Sequence, residues 1–328
     1  MLHHFTRSIA HIALPDKFTY PFHYTPHPLC VMAADEVQVY LQHQAQWQDE
    51  LQQGKMFGVL IVQTTEGEIG YLAAFSGILA GKNIHPYFVP PIYDLLQPDG
   101  FFKKEEEHIS AINHRIRELE EDTSYQKCRQ ALEEETARCS RLLSQAKAKL
   151  KAAKELRDCR RQTEQLSESE QAAMIRESQF QKAELKRLER SLKEHLSSLQ
   201  KETDTYVSQI EALKNERKSR SATLQQQLFE QFRLLNARGE VKDLCSIFAH
   251  TVHKIPPAGA GECAAPKLLQ YAYFHHYRPV AMAEFWWGDS PKAEIRHHGH
   301  YYPACKGKCE PILGHMLQGL EVEENPLL

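Results

Sequence analysis

From Phe101 to Arg238 the chain contains neither glycine nor proline. That stretch is dense in Glu, Lys, Arg, Gln, Leu and Ala, residues that lose little side-chain freedom in a helix. It is predicted to be helical almost throughout. A helix of that length cannot fold inside a small globule, so the run divides the chain into three parts: 1–100, 101–238 and 239–328.

The middle part carries seams for helix pairing. Ile109, Ile112, Ile116 and Leu119 follow a 3-4-3 spacing, and Leu185, Leu188, Leu192, Leu196 and Leu199 form a second stripe that Val207, Ile210 and Leu213 extend. Narrow stripes of this kind mark helices that pair along one edge. Between them, Ser167 and Glu170 have the spacing of a capping box, which opens a new helix. The expectation is an antiparallel coiled-coil hairpin with arms near 104–163 and 170–237, each reaching roughly 90 Å at about 1.5 Å per residue. A continuous rod that self-associates in parallel is the rival reading. Basic residues such as Lys147, Lys149, Lys151 and Lys154 are interleaved with acidic ones. They are read as a solvated helix surface, the alternative being a grip on a phosphate backbone.

The flanks read as halves of one domain. Before the run, a helix is predicted from Ala34 toward Leu51, with strands over Met56–Gln63 and Ile69–Phe75 joined by the polar turn 64–68. A loop rich in proline and aromatic residues follows, from His85 to Tyr93. After the run come a breaker-rich loop at 255–262, a helix over Cys263–Tyr273 and a buried strand over Pro279–Trp287. A His- and Tyr-rich loop then leads to a last helix over Ala304–Leu320. Joined, these elements alternate as an α/β layered body, discontinuous in sequence, and neither flank alone is large enough for a sound core.

The formal net charge of −3 points to neither nucleic acid nor membrane. The sequence has no apolar run long enough to span a bilayer, and its first residues lack the apolar core of a signal peptide. These features predict a cytoplasmic protein with no membrane partner. No Gly-x-Ser-x-Gly elbow and no P-loop occurs, which removes the common routes to nucleophilic and nucleotide chemistry. The segment Ala258-Gly259-Ala260-Gly261 is read as a helix-entry loop rather than a phosphate cradle.

Three of the eight cysteines are placed for chemistry. Cys263 precedes one predicted helix, and Cys305 with Cys309 begins another. Zinc-dependent nucleobase deaminases use a first ligand at one helix start and two cysteines at the next, with a glutamate two residues after the first ligand. The order of elements here is similar, so the body is expected to be deaminase-like. The match is partial: the pair is spaced C-x-x-x-C, and Ala265 stands where the glutamate would be. Two readings fit, a zinc site with His297, His298 or His300 as a fourth ligand, or thiols buried in a core. A second candidate is the mixture of cations and rings at Arg296, His298, His300, Tyr301, Lys306 and Lys308, which suits looped or single-stranded RNA and equally an ordinary surface loop.

Several segments together resemble the N-terminal extension of bacterial RluA-type pseudouridine synthases. They are Phe18-Thr19-Tyr20-Pro21-Phe22 with Pro26-His27-Pro28-Leu29-Cys30, the strand segments at 54–60 and 70–77, and Pro86-Tyr87-Phe88-Val89-Pro90-Pro91. After the helical run come Pro256–Leu269, Ala283–Gly288 and His298–Cys305 with Lys308-Cys309. The resemblance implies that a synthase domain, with an Asp in a His-Arg-Leu-Asp motif, follows such an extension. This chain lacks that motif; His114-Arg115-Ile116-Arg117 lies within the helical run. The chain is therefore expected to be an accessory region, not itself catalytic, with rRNA or tRNA and a pseudouridine synthase catalytic domain as partners.

Overall fold

The computed structural model describes residues 1–328 apart from His253 and Ala293. In chain order its elements begin with α1 (Pro28–Gln42), a 3-10 turn (Ala45–Trp47), α2 (Gln48–Gln52), β1 (Lys55–Gln63) and β2 (Ile69–Phe75). Three long helices follow: α3 (Phe101–Glu121), α4 (Thr123–Thr163) and α5 (Glu168–Gln231). The rest comprises β3 (Arg233–Leu235), β4 (Val241–Asp243), α6 (Leu244–Phe248), α7 (Ala264–Phe274), β5 (Arg278–Trp287), β6 (Tyr301–Tyr302) and α8 (Cys309–Met316). The fold is thus mixed α/β. Among the described residues no helix is long and apolar enough to cross a membrane.

Strands β1 and β5 are apolar on both sides, which fits a sheet covered on both faces. The sheet order is β2-β1-β5-β6 with antiparallel neighbours throughout. Side chains alternate between faces. Phe57, Val59, Ile61, Ala283 and Phe285 pack under Leu29, Ala33, Val37 and Leu41 of α1. On the other face Leu60, Val62, Leu72 and Met282 pack under Ala264, Leu268 and Ala272 of α7 and Ile312 and Leu313 of α8. The β1–β5 register, with Phe57 opposite Phe285 and Gly58 opposite Glu284, shifts between Ile61 and Val62. The shift lies beside Pro279, which has no N–H to give to a ladder.

Two compact units result. One comprises Met1–Glu106 with Ala222–Leu328, and the other is Glu107–Ser221. The first unit's terminal segments are also tied together directly. Phe18 N donates to Glu321 O at 2.8 Å, and Glu323 N donates to Phe18 O at 2.8 Å.

Within the second unit the partners of α5 descend in number as those of α3 and α4 rise. Arg217 donates to Asn113 at 3.1 Å, Lys214 to Glu120 at 2.7 Å, and Arg157 to Gln181 Oε1 at 2.7 Å. Helix α5 therefore runs antiparallel to α3 and α4. Ile116, Leu119 and Ile210 form its small apolar core with Ile112, Tyr125 and Leu213. The expected capping box forms: Ser167 N donates to Glu170 Oε2 at 2.8 Å, and Glu170 N donates to Ser167 Oγ at 3.4 Å.

Four boundaries differ from expectation. The first arm is broken at Asp122, whose carboxylate takes the N–H groups of Ser124 and Tyr125 and caps α4. The second arm stops at Gln231, because Phe232 and Leu234 are drawn into the core of the first unit and a β3–β4 hairpin replaces the last helical turns. The first helix begins earlier, with Pro28 in its first turn, and stops at Gln42. The last helix spans only Cys309–Met316, since residues 303–308 form an irregular loop.

Candidate metal centre

The site begins with the turn that delivers Cys263. Gly259 and Gly261 have φ of +73° and +85°, and a side chain on Gly261 would meet the Phe232 ring at 2.6 Å. Glu262 O accepts from Gly77 N at 3.0 Å, which fixes the loop against the end of β2. Cys263 is then the residue that caps α7, and its sulfur makes no capping hydrogen bond to that helix. On the other side, Ala304 N donates to Pro21 O at 2.9 Å, and Cys309 N donates to Cys305 O at 3.1 Å. This turn curls Cys305 back over the start of α8.

The sulfurs of Cys263, Cys305 and Cys309 all lie within 4.8 Å of one another, and the Cys305 and Cys309 sulfurs are 3.5 Å apart. All eight cysteines are free. Cys309 is buried, Cys263 half-buried and Cys305 exposed. Its interactions with the Cys263 and Cys309 sulfurs, with help from the Cys309 and Lys308 N–H groups, pull the Cys305 pKa well down. Hydrogen bonding to Cys305 correspondingly raises the Cys263 thiol, and hydrogen bonding to Cys263 and Cys305 raises the Cys309 thiol. Three sulfur donors at this separation can hold a soft or borderline metal ion. Among the described residues no His, Asp or Glu atom joins them within the same distance, so His297, His298 and His300 are not brought into the set.

Glu284, which sequence reasoning did not single out, stands beside this cluster. It is only 3 % exposed, on the sheet face that α7 covers. Its Oε1 accepts from Ala265 N at 3.1 Å. A strand carboxylate therefore reaches the helix start where Ala265 supplies none of its own. Burial pushes the Glu284 carboxyl up to about 7, against the pull of the Ala265 N–H. The signal was present: a lone charged residue inside the apolar run Val280–Trp287, paired in register with Gly58. A side chain at Gly58 would come within 3.4 Å of Glu284 Cγ and 3.0 Å of Ala264 Cβ, so the glycine leaves room for both.

Lys267, one turn into α7, is also buried. Its ammonium donates to Phe75 O at 2.9 Å and Gly77 O at 3.2 Å and sits 4.9 Å from the Phe75 ring centre. Burial lowers its pKa to about 8.

The candidate RNA-binding residues are distributed differently. Arg296 places its guanidinium carbon 5.2 Å from the ring centres of both Trp286 and Tyr302, and pairs with Glu294 at 2.8 Å. His298 Nδ1 accepts from Gly288 N at 3.0 Å, and its ring lies 4.1 Å from that of Trp287. His300 is exposed, its ring 5.3 Å from that of His297, while its carbonyl takes the Trp286 N–H. Tyr301 packs against the core on the α1 face, so the ring beside Arg296 is that of Tyr302. Lys306 is exposed; Lys308 lies with its ammonium 3.3 Å from where a Gly259 side chain would begin. By strand alternation Glu284, Trp286 and Tyr302 share one sheet face. Comparison with protein families, with curated proteins and with solved structures found no match for this chain.

Proposed function

We propose that this chain is a zinc-holding, deaminase-like α/β body with a coiled-coil hairpin inserted in it, serving as the RNA-associated accessory region of an RluA-type pseudouridine synthase. The observation that carries the reading is the convergence of Cys263 with the sequence-remote pair Cys305 and Cys309 at the starts of two helices on one sheet face. Zinc suits a set of thiolates because its filled d shell imposes no geometry that three sulfurs would violate. The ion would be held by these three residues and would tie the start of α7 to the start of α8.

The RNA part of the reading is supported by the resemblance of the whole chain to such extensions, and by Arg296 lying over two aromatic rings, with exposed Lys306 on the loop that follows. Rings and guanidinium planes stack on unpaired bases, and lysines follow the phosphates. The paired arms of the second unit would lie along the RNA or the particle that contains it.

The test combines metal analysis with RNA binding on the full chain. The reading expects about one zinc per chain, lost in Cys309→Ala, and salt-sensitive binding to rRNA or tRNA. The triple substitution of Arg296, Lys306 and Lys308 by Ala should flatten the salt dependence by about 0.7 per phosphate contact removed. No RNA binding with a synthase domain supplied, at low salt, would end the RNA reading. A well-folded chain without zinc would end the metal reading.

A further inference from the structure

We infer that the metal held by the three thiolates keeps an exchangeable fourth position, and that Glu284 is the hydrogen-bond acceptor for the water bound there. This deepens the zinc reading and rests on it.

A tetrahedral ion with three protein ligands has one position left. Among the described residues no fourth His, Cys, Asp or Glu atom lies within the span of the three sulfurs. Solvent reaches the cluster from the Cys305 side, since Cys305 is exposed while Cys309 is buried. Water is therefore the ligand at hand.

Glu284 supplies what a bound water needs. A dication withdraws charge from its water and makes the water a strong hydrogen-bond donor. Glu284 spends one carboxylate oxygen on Ala265 N, two residues from Cys263. The Ala265 N–H is the one hydrogen bond its carboxylate makes among the described residues, and its second oxygen is not a fully enclosed atom. The one cation that acts on the carboxylate, Arg296, forms its salt bridge with Glu294 instead. Burying a carboxylate without a paired cation is costly, and a core that needed only volume there would hold an apolar side chain. A metal and its water would offset that cost.

The ligands such a position takes are water and small nitrogen or oxygen donors that displace it. Azide is a suitable probe, with cobalt(II) in place of zinc because its visible spectrum reports the coordination shell. The cobalt-loaded full chain should show sulfur-to-cobalt bands and a d–d spectrum that azide changes saturably. Glu284→Gln should keep one cobalt per chain and bind azide about tenfold tighter, because a nearby negative charge and the water's acceptor are both gone. Glu284→Met, which fills the same volume, should behave alike and guards against a packing artefact. A wild-type spectrum indifferent to azide would mean a closed site and overturn the inference while leaving the zinc reading intact. Equal azide affinity in wild type and both variants would remove Glu284 from its role. Absence of sulfur-to-cobalt bands would overturn the metal reading itself.

Discussion

Lys267 shows how a single buried charge shapes the body. Two carbonyls, Phe75 O and Gly77 O, hold its ammonium out of water at the edge of the sheet. An unfolded lysine titrates near 10.5, and the folded one near about 8. Between those values the unfolded chain binds more protons, so stability rises with pH across the window. Below about 8 the burial cost is present in full. Urea unfolding should therefore show a gain of up to about 3 kcal/mol from pH 8 to 10.5, from roughly 1.4 kcal/mol per pKa unit. Lys267→Met should lack that slope; an unchanged slope would show that Lys267 is not its source. At this scale the cysteines were legible, because thiols at two helix starts are a recognisable pattern. Glu284 was legible only as a lone charge in an apolar strand, because nothing in a linear reading says that its carboxylate will arrive at the Ala265 N–H. Tyr301 and Tyr302 were indistinguishable as neighbours until strand pairing set which ring faced which side.

Among the elements, the long helices were the most legible and their interruptions the least. Glycine and proline are the breakers a sequence displays, yet α3 and α4 are separated by Asp122, an ordinary residue acting as a cap. Asp122→Ala should cost about 1 kcal/mol, the usual value of a lost N-cap, measured as a shift in thermal unfolding of the helical signal. No loss would mean that α3 and α4 continue as one helix through this position. The break at Phe232 had a different origin. The chain remains a good helix former there, but burying Phe232 and Leu234 in the body outweighs propensity. The short β6 was missed for the same reason: two residues carry no period of their own, and only pairing with Glu284 and Phe285 defines them.

In the molecule as a whole, residues before and after the helical run make one body. Strands β1 and β5 pair along their lengths although more than two hundred residues separate them. A chain joining 1–106 to 222–328 through a Gly/Ser linker should fold cooperatively and hold the proposed zinc as the full chain does. Loss of cooperative unfolding in that chain would show that the second unit is needed to close the first. The layered body was legible because buried strands and amphipathic helices alternate in the two flanks. The sheet order was not, since pairing across such a gap leaves no mark in local pattern. X-ray absorption at the zinc edge of the full chain tests the account most directly. The expected shell has three sulfurs at about 2.3 Å and one oxygen at about 2.0–2.2 Å. A shell with fewer than three sulfurs, or a chain that retains no zinc, would contradict it.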